Sequence, residues 1–280
     1  MRLHLLGTGT PVLDRQRPAT TAVLLEIGPE RVLFDAGRGL ITQLLKQNTA
    51  PTTIGTLFIT HHHYEHICDL GDFLLTAWHN GRIHPLHIFG PPGTANIVAA
   101  LFNQVYARDI AFTLFNEPDT LDIRQLVKVA DVLPGLVYES NDWCVFAEYV
   151  NHGNTLGLSE TEWPCLGYRL ESQGKVVTIG GDTVACNGLD RLAKNADLLV
   201  ISCYLADKEI DNPGFARLAH HIIASSGQVG KIATQSGVRK LLLTHFRKKS
   251  ADLMHALAED VQADFAGELY IGEELMTIEI

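Results

Sequence analysis

His61, His62, His63, Glu65 and His66 put four imidazoles and a carboxylate within six consecutive positions, directly after the apolar stretch Thr56-Leu57-Phe58-Ile59. Imidazole nitrogen and carboxylate oxygen are the donors that zinc and related divalent cations take. Three other apolar stretches end in similar groups: 145–150 runs to His152, 176–179 to Asp182, and 240–243 to His245. Strands ending at one rim would gather these side chains. Alternate residues of the run project to different sides, so His61 and His63 are expected to serve one ion with His152. Glu65 and His66 are expected to serve a second with His245. Asp182 is the natural bridge, since a carboxylate can bind two cations. Two ions held about 3.5–4 Å apart activate a water and stabilise both the attacking and the leaving oxygen.

The elements that position these groups follow from the pattern of apolar residues. Residues 2–6 read as a strand before the turn Gly7-Thr8-Gly9-Thr10-Pro11, and 21–26 with 31–34 as a hairpin around Gly28-Pro29. Strands are also expected at 56–60, 84–89, 145–150, 167–170, 176–179, 198–202, 240–243, 268–271 and 275–279. Helices are expected at 40–47, 70–78, 228–235 and 251–262, and from the N-cap Thr94 to about Tyr106. Two β-rich halves with intervening helices predict two sheets packed face to face with helices outside. Residues 103–144 are the least regular and are expected to form a surface loop, or else a lid or substrate wall.

At 280 residues and 46% apolar, the chain can bury one large core. Its 22 basic and 32 acidic residues leave a net charge of −10. That field opposes nucleic acid, whose binding rests on cations neutralising phosphates. The N-terminal apolar run is too short for a signal peptide, and no stretch has the length to cross a bilayer. A cytoplasmic protein without a membrane partner is therefore expected. The five cysteines are scattered and form no C-x-x-C, which predicts reduced thiols.

The motif H-x-H-x-[D/E]-H, followed by separate His, Asp and His at strand ends, resembles that of the metallo-β-lactamase-fold hydrolases over essentially the full length. Within that superfamily the chain is similar to the ribonuclease Z and arylsulfatase branch. The residues that carry this likeness are Leu6–Pro11, Leu33–Gly39, Phe89–Thr94, Leu166–Arg169, Gly181–Thr183 and Leu243–His245. Asp69–Thr76 looks more like the arylsulfatase-type members. The resemblance implies one αββα four-layer sandwich of two mixed β-sheets over 1–280. It implies His61, His63 and His152 on a first metal, Glu65, His66 and His245 on a second, Asp182 bridging, and Asp35 bracing the histidine loop. Glu65 stands where most relatives carry Asp, which moves the carboxylate by roughly one C–C bond, about 1.5 Å. Relatives also place a proton-donating histidine near 220, for which His221, or else His220, is the candidate. His62 and Arg169 are expected to be structural.

These features predict a dinuclear-metal hydrolase of phosphate or sulfate esters, of the arylsulfatase or phosphodiesterase type, with a hydroxide shared by two divalent ions as nucleophile. Zinc is the default, with iron or manganese as alternatives. The expected partner is a small anionic or aryl ester, with a homodimer as the expected assembly. A tRNA 3′-processing endonuclease is the first alternative. It is disfavoured because the acidic segment 153–165 is too short for the long arm such enzymes carry. A non-hydrolytic di-metal redox or sensor protein is the second alternative.

Overall fold

A computed structural model describes residues 1–280. The first sheet takes β1 (Arg2–Gly7), β2 (Ala22–Ile27), β3 (Glu30–Phe34), β4 (Thr56–Phe58), β5 (Leu86–Gly90) and β6 (Val127–Asp131). The second takes β7 (Gly135–Glu139), β8 (Trp143–Tyr149), β9 (Leu166–Ser172), β10 (Lys175–Ile179), β11 (Leu198–Ser202), β12 (Lys240–Thr244) and β13 (Glu268–Ile271). The last strand, β14 (Met276–Glu279), returns to the first sheet and pairs antiparallel with β1. The orders are β14-β1-β2-β3-β4-β5-β6 and β13-β12-β11-β10-β9-β8-β7. Both sheets are mixed: β3 to β6 and β10 to β13 run parallel, the remainder antiparallel.

Successive side chains of a strand point to opposite faces, so one strand feeds two apolar layers. Leu3 and Leu5 of β1 and Val23 and Leu25 of β2 enter the core between the sheets, where they meet Val145, Tyr168, Val177 and Val200. Their neighbours Leu6, Ala22 and Leu24 pack outward with Phe73, Leu74 and Trp78 from the helix Leu70–His79. On the far side, Leu199 and Ile201 of β11 pack with Val229 and Ile232 of the helix Ser226–Gln235 and with Leu257 and Val261 of the helix Ala251–Asp264. Three apolar layers between four structural layers make an αββα sandwich.

Two expectations for local structure need correction. Residues 103–144 are not irregular: they hold the helices Ala107–Asn116 and Ile123–Leu126, all of β6 and β7, and the start of β8. These strands are half exposed at the sheet edges, which blurs their alternation. Gly93, at φ 105°, caps the helix Thr94–Ala100, while the Thr94 hydroxyl donates to Pro91 O at 2.7 Å. A π-helical turn, Leu101–Val105, follows it.

Candidate active site

In open α/β sheets, ligand sites form beyond the carboxyl ends of the strands, and the chemistry-bearing residues lie there. Asp35 follows β3, the histidine run follows β4, Asp182 follows β10 and His245 follows β12. His152 follows β8. Asp35 at φ 62° and His245 at φ 60° occupy the left-handed region that non-glycine residues seldom visit. Each turns its strand end abruptly enough to aim a side chain into the rim.

The structure brings seven predicted residues into two clusters that share one carboxylate. His61, His63, His152 and Asp182 form one, and Glu65, His66, Asp182 and His245 the other. Within each, the ligand-type atoms lie within 4.8 Å of one another. His63 Nδ1 is 3.0 Å from His61 Nε2 and 3.1 Å from His152 Nε2. Asp182 Oδ2 lies 3.3 Å from His245 Nε2, 3.6 Å from His66 Nε2 and 4.0 Å from His152 Nε2. Glu65 Oε1 lies 3.9 Å from His245 Nε2.

Outward-facing hydrogen bonds orient these groups. His152 Nδ1 donates to Ile222 O at 2.6 Å, leaving Nε2 directed inward. His66 Nδ1 donates to Asp35 Oδ2 at 2.8 Å. The Thr60 hydroxyl donates to Asp35 and lies 3.0 Å from His61 Nδ1, so one carboxylate braces two rings. Ser202 Oγ donates to Asp182 Oδ1 at 2.5 Å, leaving Oδ2 for the centre. His66 Nε2 and both ring nitrogens of His245 are buried without a hydrogen-bond partner. A buried unsatisfied group costs about 1–3 kcal/mol. A set of converging nitrogen and oxygen donors with orphaned lone pairs fits divalent cations.

Electrostatics point the same way for four of the five rings, while His66 must give up a proton to bind a cation. Burial, reinforced by the neighbouring His66 and His152, holds His61 well below the usual imidazole range. Burial also lowers His63, His152 and His245, so these rings are neutral. For His66, burial is outweighed by Asp35 and Asp182, which raise it to about 10. For Asp182, burial is outweighed by His245, His66 and His152, which hold it well below the usual carboxylate range.

A cavity of about 170 Å³ opens onto the clusters. Five ligand-type residues line it with Pro11, Tyr204, Leu218, Ile222 and Ile223. His220 and His221 do not line it. They end the helix Pro213–His221. His220 is exposed, with Nδ1 2.6 Å from Ala216 O, and His221 Nδ1 lies 2.8 Å from the Thr155 hydroxyl. The helix stops there, and Ile222 and Ile223 reach the cavity instead. No residue of 103–144 lines it. His62 turns to the Thr94 hydroxyl at 2.8 Å, and Arg169 binds Glu171, Leu192 O and Lys194 O away from the site.

Three contributors escaped the sequence reading. Trp163 donates from Nε1 to His152 O at 3.0 Å and lays its ring 4.8 Å from that of His63. Ser202 and Thr60 hold Asp182 and His61. Ser202 and Thr60 end apolar strands just as the ligands do, which was the available signal; nothing in the sequence marked Trp163.

The sandwich and its shared-carboxylate clusters define a metallo-β-lactamase-fold hydrolase. Residues 30–246 match the β-lactamase superfamily domain family. Ribonuclease Z of Mycolicibacterium gilvum (strain PYR-GCK) is 32% identical over 100% of this chain and 96% of its own. Among solved structures, the metallo-β-lactamase fold protein YhfI from Bacillus subtilis superposes with a TM-score of 0.74 at 18% identity, covering 99% of this chain and 98% of that one. The short form of human tRNase Z gives 0.71 at 23% identity, covering 100% and 99%. These two likenesses show the fold. The chain belongs to the β-lactamase superfamily, in its ribonuclease Z branch. It is a metal-dependent hydrolase of ester bonds, which displaces the redox or sensor alternative.

The membership overturns two expectations. A small anionic or aryl ester substrate, and a surface unsuited to nucleic acid, give way to the end-to-end match with ribonuclease Z. Net charge sums the whole surface, whereas phosphate contact is local. A cavity of about 770 Å³ is lined by the cations Arg15, Arg38 and Lys248 and the single acidic residue Asp14, while Lys249 at its wall is buried against Glu209. It adjoins the 11–18 loop whose Pro11 lines the site. No helix is long and apolar enough to cross a membrane.

Proposed function

We propose that this protein is a tRNA 3′-processing endonuclease, working as a single domain over residues 1–280. The observation that carries this reading is the 32% identity with a ribonuclease Z along the whole of this chain. The site supports it. At about 170 Å³ the cavity is smaller than the roughly 300–1,000 Å³ that encloses a typical small ligand. It suits one phosphate group of a substrate whose bulk lies outside, and the basic cavity beside it offers that bulk a place to lay its backbone.

His61, His63 and His152 would hold one divalent ion, Glu65, His66 and His245 a second, and Asp182 both. Zinc suits this imidazole-rich set best. Two such ions would supply Lewis acidity and positive charge to the scissile phosphodiester. Asp182 stays ionised and, fixed by Ser202, orients through Oδ2. Asp35 and Thr60 hold the rings of His66 and His61 in one orientation. Ile222 and Ile223 give the cavity an apolar wall beside the reacting phosphate, and Trp163 packs behind His63.

Incubation with a precursor tRNA carrying a 3′ trailer tests the proposal. Metal-loaded protein is expected to release the trailer by one internal cut, and chelation to stop it. A loaded protein that leaves the precursor intact would sink the reading.

A further inference from the structure

Water attack on an RNA phosphodiester expels a ribose oxygen, a strongly basic leaving group that needs a proton as it departs. The two histidines expected to supply it face Thr155 and Ala216. Among the cavity walls, Pro11, Leu218, Ile222 and Ile223 carry no dissociable proton, and His63, Glu65, His152, Asp182 and His245 form the ligand set. The remaining wall is Tyr204. Tyr204 is half-buried in that wall.

Its placement is fixed. Tyr204 lies two residues past the end of β11, whose Ser202 anchors Asp182. Its ring centroid is 6.3 Å from that of His245. On another side, the Arg247 guanidinium lies 5.8 Å from the Tyr204 ring and 4.9 Å from the Phe215 ring, and is itself ion-paired with Glu209. Cation–π contact of this kind holds a ring in place.

We propose, building on the tRNA-processing reading above, that the Tyr204 phenol donates the proton to the leaving oxygen. The oxygen of water bonds to phosphorus and gives up a proton to solvent. The bond from phosphorus to the ribose oxygen breaks, its electron pair stays on that oxygen, and the Tyr204 proton moves to it. Solvent water then reprotonates the phenolate. Tyr204 is on this account a catalytic residue.

The test is Tyr204→Phe in metal-loaded protein, which keeps the ring and its Arg247 contact. Wild type and variant are compared on aryl phosphodiesters whose leaving phenols span a range of basicity, and on a precursor tRNA. The loss is expected to grow with leaving-group basicity, smallest for nitrophenol and on the order of 100-fold for the ribose oxygen, within the usual range for general acid catalysis. A loss by the same factor on every substrate, or no loss on any, overturns the proposal. A graded loss along the aryl series by a protein that leaves precursor tRNA intact would instead overturn the tRNA reading and keep Tyr204 in its role.

Discussion

Asp35→Asn is nearly isosteric, yet it should unsettle the metal centre more than the fold. Asp35 accepts from Thr60 N at 2.8 Å, from the Thr60 hydroxyl at 2.9 Å and from His66 Nδ1 at 2.8 Å. An asparagine has one oxygen. If that oxygen keeps the Thr60 N–H, the amide NH₂ faces His66 Nδ1. The ring must then accept at Nδ1 and carry its proton on Nε2, the atom aimed at Asp182. A protonated Nε2 cannot ligate. Partners that orient a metal-bound imidazole are typically worth 10–100-fold in metal affinity, and a loss of about that size is expected at the cluster of Glu65, His66 and His245. Stability should fall by only about 1–2 kcal/mol, because every buried donor except one keeps an acceptor. Asp35→Ala orphans two buried N–H groups and should cost about 2–6 kcal/mol. Competition against a chromophoric chelator measures affinity, and thermal unfolding of the chelated protein measures stability. Loss of the carboxylate also frees His66 of its competing proton, so fewer protons should be displaced on loading. Wild-type affinity for both ions in Asp35→Asn would refute the bracing role.

Other outcomes follow from the same geometry. His66 is raised to about 10 in the metal-free chain, because Asp35 and Asp182 outweigh its burial. A folded value above the unfolded one gives stability that is complete below about pH 6.5 and fades as pH climbs to about 10. The other centre histidines, being lowered, contribute slope only below that window. Chelated protein should therefore lose melting temperature between those values, and metal affinity should rise across them as the proton is displaced more easily; a flat or rising melting curve would contradict this. A Cβ on Gly37 would fall 2.5 Å from both Glu65 O and Thr20 Oγ1. Gly37→Ala should thus cost about 3 kcal/mol by overpacking and weaken the second ion, as unfolding and metal titration would show. His221→Ala removes a ring that faces Thr155, so precursor cleavage should stay within about threefold of wild type; a loss of 100-fold, as expected of a general acid, would return that ring to the chemistry.

The metal set was legible because its members follow the ends of apolar strands, with Glu65 and His66 on the helical turn Tyr64–Ile67 just beyond β4, and strands can be read from alternation whatever their order in the sheets. The sharing of Asp182 Oδ2 and the bracing of two rings by Asp35 depend on how strand ends converge, which no local pattern encodes. His220 and His221 illustrate the limit on a helix, where one residue turns a side chain through about 100°. The step from His221 to Ile222 and Ile223 exchanges a surface ring for a cavity wall. Residues 103–144 were hidden for another reason. Edge strands such as β7, with Leu136 exposed and Tyr138 half buried, bury too little to show a clear period. The substrate was misjudged because a net charge of −10 says nothing about where Arg15, Arg38 and Lys248 gather.

Elemental analysis after saturation with zinc and removal of excess metal tests the centre most directly. Two ions per chain are expected, falling to one in either His152→Ala or His245→Ala, since each variant depletes a different cluster around Asp182. A single ion per wild-type chain, or two retained by both variants, would contradict it.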